Sequence, residues 1–161
     1  VNLRRRMDDR ALDLTLLTNS YKASAVGAEV LLTEPIVWAG VKGGCAHLRE
    51  PLPVSLWEEG CAWRAGALEA LGREGLNYRI AYMSAHTAGQ RAAIQSDLAV
   101  APLPRSFLGV DMVELGLKDG MPEIGNYQLA MAVAPEASAP VKAVADHIRA
   151  TFEVFKTTGK F

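Results

Sequence analysis

The chain has 161 residues, half of them hydrophobic and 22% charged, with a formal net charge of -1 and two cysteines. That balance describes a globular domain, or two small lobes on one chain, and argues against disorder and against a basic nucleic-acid-binding surface. Cys45 and Cys61 make no disulfide framework and neither belongs to a CxxC pair. No apolar run reaches the roughly 18 residues of a membrane span, and "VNLRRRMDDR" has no signal-peptide core, so the sequence predicts a cytoplasmic protein with no membrane partner.

The run Arg4, Arg5 and Arg6, followed at once by Asp8 and Asp9, reads as a solvated strand or loop edge. "ALDLTLLT" (11–18) reads as a buried strand, and "EVLLTEPIVWAGV" (29–41) as two extended halves separated by Pro35. "GGCAHLREPLP" (43–53) reads as loop. "VSLWEEG" then leads into a helix over "CAWRAGALEALGREG" (61–75). That helix begins at Glu59 or Gly60, turns Trp63, Ala67, Ala70 and Leu71 inward, and ends in a cap at Gly75.

"NYRIAYMS" (77–84) alternates like a strand and "AGQRAAIQ" (88–95) reads as a short helix. "LAVAPLP" (98–104) suits a central parallel strand, "VDMVELG" (110–116) an edge strand and "NYQLAMAVA" (126–134) a long strand. A terminal helix covers 139–155, with Pro140 near its start and an inner stripe of Val141, Val144, Ala145, Ile148 and Phe152. Alternating strands and helices predict an α/β fold with mostly parallel sheets. Residues 1–35 with 117–161 are expected to form a first lobe and 36–116 a second, with a ligand cleft at the carboxyl ends of strands.

In order and wording, "ALDLTLLT", "EPIVWAG", "PLPVSL", "CAWRAGALEALGREGLNYRIAY", "GQRAAIQSDLAVAPLP" and "VELGLKDGMPEIGNYQLAMAV" resemble the effector-binding domain of LysR-type transcriptional regulators over nearly the whole chain. The resemblance implies a two-lobed, periplasmic-binding-protein-like fold with two crossover strands. It implies a small-molecule effector in the cleft and a homodimer or homotetramer. DNA would be bound only through a winged helix-turn-helix that, with a linker helix and the first strand and helix of the first lobe, is expected before residue 1. A solute-binding protein for transport or scavenging is the alternative of similar shape.

The resemblance also implies that the head of the 61–75 helix lines the cleft with Cys61, Ala62, Trp63 and Arg64. Free helix-head amides favour a carboxylate or other anion, and Arg64 could add a forked contact. Packing of Trp63 beneath the sheet and solvation of Arg64 are the competing readings. Ser84 and Thr87 either donate to the ligand or cap the following helix, and His86 is a contact or a solvated loop residue. Strand-end logic adds Thr18 and Asn19 from the first lobe.

Catalysis is not expected. Ser84, His86 and Asp97 supply triad residue types without triad spacing or a GxSxG elbow, and "VKGGCAH" has no Walker spacing. Glu58 and Glu59, adjacent at a helix start, complement its dipole. "CAH" (45–47) offers two metal ligands with no second pair, so neither metal nor cofactor is expected.

Overall fold

The computed structural model describes residues 3–20 and 27–158. In chain order the helices and strands are α1 (Leu3–Asp8), β1 (Leu14–Ser20), β2 (Glu29–Val41), β3 (Leu52–Leu56), α2 (Ala62–Arg73), β4 (Tyr78–Met83), α3 (Thr87–Gln95), β5 (Ala101–Pro104), β6 (Met112–Leu115), β7 (Gly125–Val133) and α4 (Ala139–Thr158). Two compact units contain them: Val1–Thr33 with Gln128–Phe161, and Glu34–Tyr127. β2 and β7 each run from one unit into the other.

The arginine run is helical. Arg5 and Arg6 lie in α1, where Arg5 Nε and Asp9 Oδ2, one turn apart, are 3.7 Å from each other, a spacing that supports a helix and not the expected strand or loop edge. In the same unit Leu31, Met131, Ala145 and Phe152 form the core, joined by Leu14, Leu129 and Ile148. Val144, expected on the inner stripe of α4, is 54% exposed. It points away because Ala145 occupies the buried position one step along the helix. Arg149 Nε donates to Glu29 Oε2 at 2.7 Å, tying α4 to the start of β2.

β2 passes through Pro35 without interruption. Trp38 sits in one core cluster with Leu56, Leu71, Leu115 and Met121, while the adjacent Ala39 sits in another with Trp57, Ile94 and Leu103, so the strand is buried on both faces. The larger sheet has the order β1-β7-β2-β5, with β6 also paired to β2. β5 and β6 both run antiparallel to β2. Parallel pairing is found between β3 and β4, and at the bridge Val54–Val100, within the 98–104 segment expected to be a central parallel strand.

The second unit extends to Tyr127, beyond the division expected at 116/117, because Met121 and Ile124 pack against the Trp38 cluster and Trp38 Nε1 donates to Pro122 O at 3.0 Å. β3, read as loop and helix lead-in, is a fully buried strand. Pro53 lies inside it. Its carbonyl accepts Val100 N–H at 3.0 Å, so the missing donor leaves that pairing intact.

The 43–50 segment is held by Asp97. Its carboxylate accepts the amides of Cys45 (3.1 Å) and Ala46 (2.9 Å) and Arg49 Nη2 (2.8 Å). Burial pushes this carboxyl upward, but the bonds from Cys45, Ala46 and Arg49 outweigh it and hold the pKa below the usual aspartate value. A lowered pKa contributes stability that is complete above the unfolded value of about 3.9 and is lost as pH falls through the folded one. Asp97→Asn is therefore expected to lower stability by about 2 kcal/mol at pH 7 and to flatten the acid limb below about pH 4. Denaturant titrations of both proteins between pH 2 and 7 check this.

Candidate functional site

β3 and β4 are parallel neighbours, so their carboxyl ends lie at the same edge of the pair. From that edge one loop leads to the head of α2 and the other to the head of α3. Cys61 is the N-cap of α2, in extended conformation with φ -76° and ψ 127°, one or two residues later than the start expected at Gly60 or Glu59. Its side chain caps nothing, and the first amides of the helix have no intrahelical acceptor. At the other end Gly75, at φ +64°, takes the left-handed cap conformation expected, and Leu76 N–H returns to Leu71 O at 3.0 Å.

Trp63 is half-buried in an aromatic cluster. Its ring meets Trp57, Tyr127 and Phe107 edge-on at centroid distances of 5.0, 5.2 and 5.9 Å. The indoles of Trp38 and Trp57 donate to Pro122 O and Pro102 O. Trp63 Nε1 is buried without a hydrogen-bond partner among the described residues. Such a donor costs about 1–3 kcal/mol unless something accepts from it.

Arg64 neither faces water alone nor presents a complete fork. Its Nη1 donates to Trp57 O at 2.9 Å and lies 3.5 Å from Met83 Sδ, linking the loop after β3 to the end of β4. Ala62 and Cys61 are half-buried at the same helix head.

Ser84 fixes the turn before α3, its Oγ accepting His86 N–H at 3.1 Å. The N-cap is His86, with no side-chain cap bond, and Thr87 is already the first helical residue, so neither hydroxyl caps α3 as the sequence allowed. His86 is exposed. Ser84, His86 and Asp97 do not assemble as a triad, since the Asp97 carboxylate is committed to Cys45, Ala46 and Arg49. The Cys45 thiol also donates to Asp97, at 3.3 Å, and no group of three potential metal ligands occurs among the described residues.

Thr18 lies exposed on β1 of the first unit, and the side chain of Asn19 lies outside the described residues. The second unit thus brings Cys61, Ala62, Trp63 and Arg64 to one helix head and Ser84, His86 and Thr87 to the neighbouring one. Sequence reasoning missed what supports them. Glu34, 9% exposed on β2, accepts Ser106 N–H at 3.0 Å, Ser106 Oγ at 2.9 Å and Tyr127 OH at 2.6 Å. Burial, and then the adjacent Glu34 carboxylate, push the Tyr127 hydroxyl far above the usual tyrosine range, so it stays a donor. A separate cavity of about 420 Å³ in this unit, lined by Ile36, Trp38, Leu115, Met121 and Ile124 with the Arg105–Glu114 ion pair, includes none of the expected site residues.

The model of the LysR substrate binding domain matches residues 1–153. The chain belongs to this family. It is 27% identical over 147 residues to the HTH-type transcriptional regulator DgdR of Burkholderia cepacia, covering 90% of this chain but 49% of that protein, so it spans about half the length of this curated relative. Its fold is similar to the regulatory domain of HypT from Salmonella typhimurium, with TM-score 0.73, 11% identity and 94% and 78% of the two chains covered. It is also similar to the CcmR regulatory domain of Synechocystis PCC6803 in complex with 2-PG, with TM-score 0.65, 14% identity and 93% and 78% covered. This is the two-lobed, periplasmic-binding-protein-like α/β fold of LysR regulatory domains.

Proposed function

We propose that this LysR substrate-binding domain is the sensory part of a transcriptional regulator and binds a small effector carrying a carboxylate or other anionic group at the heads of α2 and α3. The buried, unpartnered Trp63 Nε1 carries the reading, because it is a donor without an acceptor in the first turn of a helix whose own head amides favour an anion. The CcmR domain, with its bound 2-PG, supports small-molecule sensing on this fold. DNA is contacted through a helix-turn-helix elsewhere in a longer protein, as the name of the DgdR relative suggests, and the regulator works in the cytoplasm without a catalytic step. An effector acts only by binding one arrangement of the assembly more tightly than another.

The assembly is a homodimer or a pair of dimers that covers β4. Among the described residues that strand pairs only with β3, and it leaves Ile80 46%, Tyr82 43% and Met83 55% exposed. Ile80→Glu is expected to convert dimer to monomer in sedimentation velocity, and an unchanged sedimentation coefficient would place the interface elsewhere.

A thermal-shift screen of small carboxylates and aromatic acids tests the sensing role. A ligand at about 100 times its Kd is expected to raise the midpoint by about 5–10 °C. If no small acid raises it, the anion-sensing reading fails.

A further inference from the structure

The two helix heads need a fixed spacing to share one ligand, and one buried side chain bonds the backbones of both strand ends that carry them. Gln90 of α3 is fully buried. Its Nε2 donates to Leu56 O at 2.9 Å and to Ser84 O at 2.8 Å, and its Oε1 accepts the Ser55 hydroxyl. Leu56 is the last residue of β3, and Ser84 directly follows β4. Leu56 O also accepts Ser84 N–H at 3.1 Å, and the next carbonyl, Trp57 O, is held by Arg64. Two consecutive carbonyls at the root of the α2 loop are thus held from two different helices.

We infer that Gln90 is a positioning residue of the ligand site, setting the spacing between the α2 and α3 heads through Leu56 O and Ser84 O; the inference rests on the function proposed above. Residue type follows from the chemistry. A primary amide offers two donors on one atom and an acceptor on the other, whereas a carboxylate has no donor and leucine has neither. The neighbouring position is fitted to the same end. A Cβ on Gly89 would stand 2.5 Å from Ser84 Oγ and 2.8 Å from Ser84 Cβ, so glycine there lets α3 approach the turn that Gln90 grips.

Amide hydrogen exchange on the whole chain tests this without a ligand. Gln90→Leu, which keeps volume and removes the bonds, is expected to speed exchange about tenfold or more at residues 58–63 and 85–88 while leaving amides in β2 and α4 unchanged. Gly89→Ala should disturb 84–88 in the same direction. In Gln90→Glu, the protonated acid can donate once and the ionised form faces two carbonyl oxygens. Among the described residues its side-chain partners are the Ser55 hydroxyl and the Leu56 and Ser84 carbonyls, and the ionisable His86 at the head of the same helix is shared with the wild type, whose exchange is subtracted. The excess exchange, corrected for its intrinsic pH dependence, should therefore be larger at pH 8 than at pH 5.

Uniform loss of protection across the chain, or unchanged loops in Gln90→Leu together with no pH effect in Gln90→Glu, overturns the inference by showing a residue that only fills space. Sodium sulfate added to wild-type protein reads the ligand proposal separately. Amides at 61–64 and 85–88 that do not respond to sulfate count against anion binding there, and the exchange result still decides the role of Gln90.

Discussion

Trp63→Phe is expected to leave the domain at least as stable as the wild type while weakening effector binding tenfold or more. The phenyl ring keeps edge contacts with Trp57, Tyr127 and Phe107 and removes a buried donor that has no acceptor within the described protein. Removing that donor offsets the loss of ring area, so stability should change by less than about 1 kcal/mol. A ligand that accepts from Nε1 loses that bond, and 1.4 kcal/mol corresponds to the tenfold change. Trp63→Ala separates packing from binding. It abolishes ligand response and also costs about 3 kcal/mol, less than a fully buried tryptophan because the ring is half-buried. Chemical denaturation and calorimetric titration of the three proteins check both halves. Equal affinity in wild type and Trp63→Phe would remove the indole from the site.

Glu34→Ala is expected to cost the second unit about 3–5 kcal/mol. Three donors converge on this buried carboxylate, and its loss leaves the Tyr127 hydroxyl and the Ser106 amide and hydroxyl without their acceptor. Tyr127→Phe, which removes one donor and leaves the carboxylate bound to Ser106, should cost about 1–2 kcal/mol. Because Tyr127 packs on Trp63, Glu34→Ala should also weaken effector binding, through the ring and not through contact. The pair also predicts alkaline behaviour. With the folded tyrosine pKa raised, its contribution is complete below the unfolded value of about 10 and is lost as pH rises above it. Tyr127→Phe should therefore flatten the alkaline limb of the stability profile, which denaturant midpoints between pH 8 and 11 measure.

The elements with strong periodicity or clear caps were legible in the sequence. α2 ends at the Gly75 cap, β4 follows the Tyr78, Ile80 and Tyr82 alternation, and α3 and α4 start within a residue of the expected positions. β3 was not legible, because Pro51 and Pro53 read as loop while the pairing that tolerates Pro53 depends on Val100, far along the chain. The alternation of β4 also misleads about burial, since Tyr78, Ile80 and Tyr82 are all exposed and only Ala81 is half-buried.

At the site, helix-head logic found Trp63 and Ser84 but could not tell which groups were already engaged. Arg64 looked available and holds Trp57 O, and Ser84 looked like a cap and pins a turn. Gln90 gave only a polar residue in a short helix, although a glutamine on an otherwise alanine- and isoleucine-rich inner face is a readable signal. Glu34 and Tyr127 are 93 residues apart, a pairing that neither periodicity nor spacing exposes.

The most direct test is the indole N–H region of a nitrogen–proton correlation spectrum, which contains one resonance for each of the three tryptophans. With an acid from the thermal screen added, Trp63 Hε1 should move downfield on donating to the ligand, while Trp38 and Trp57, already bonded to Pro122 O and Pro102 O, stay in place. A ligand that binds and leaves the Trp63 indole unmoved would contradict the account.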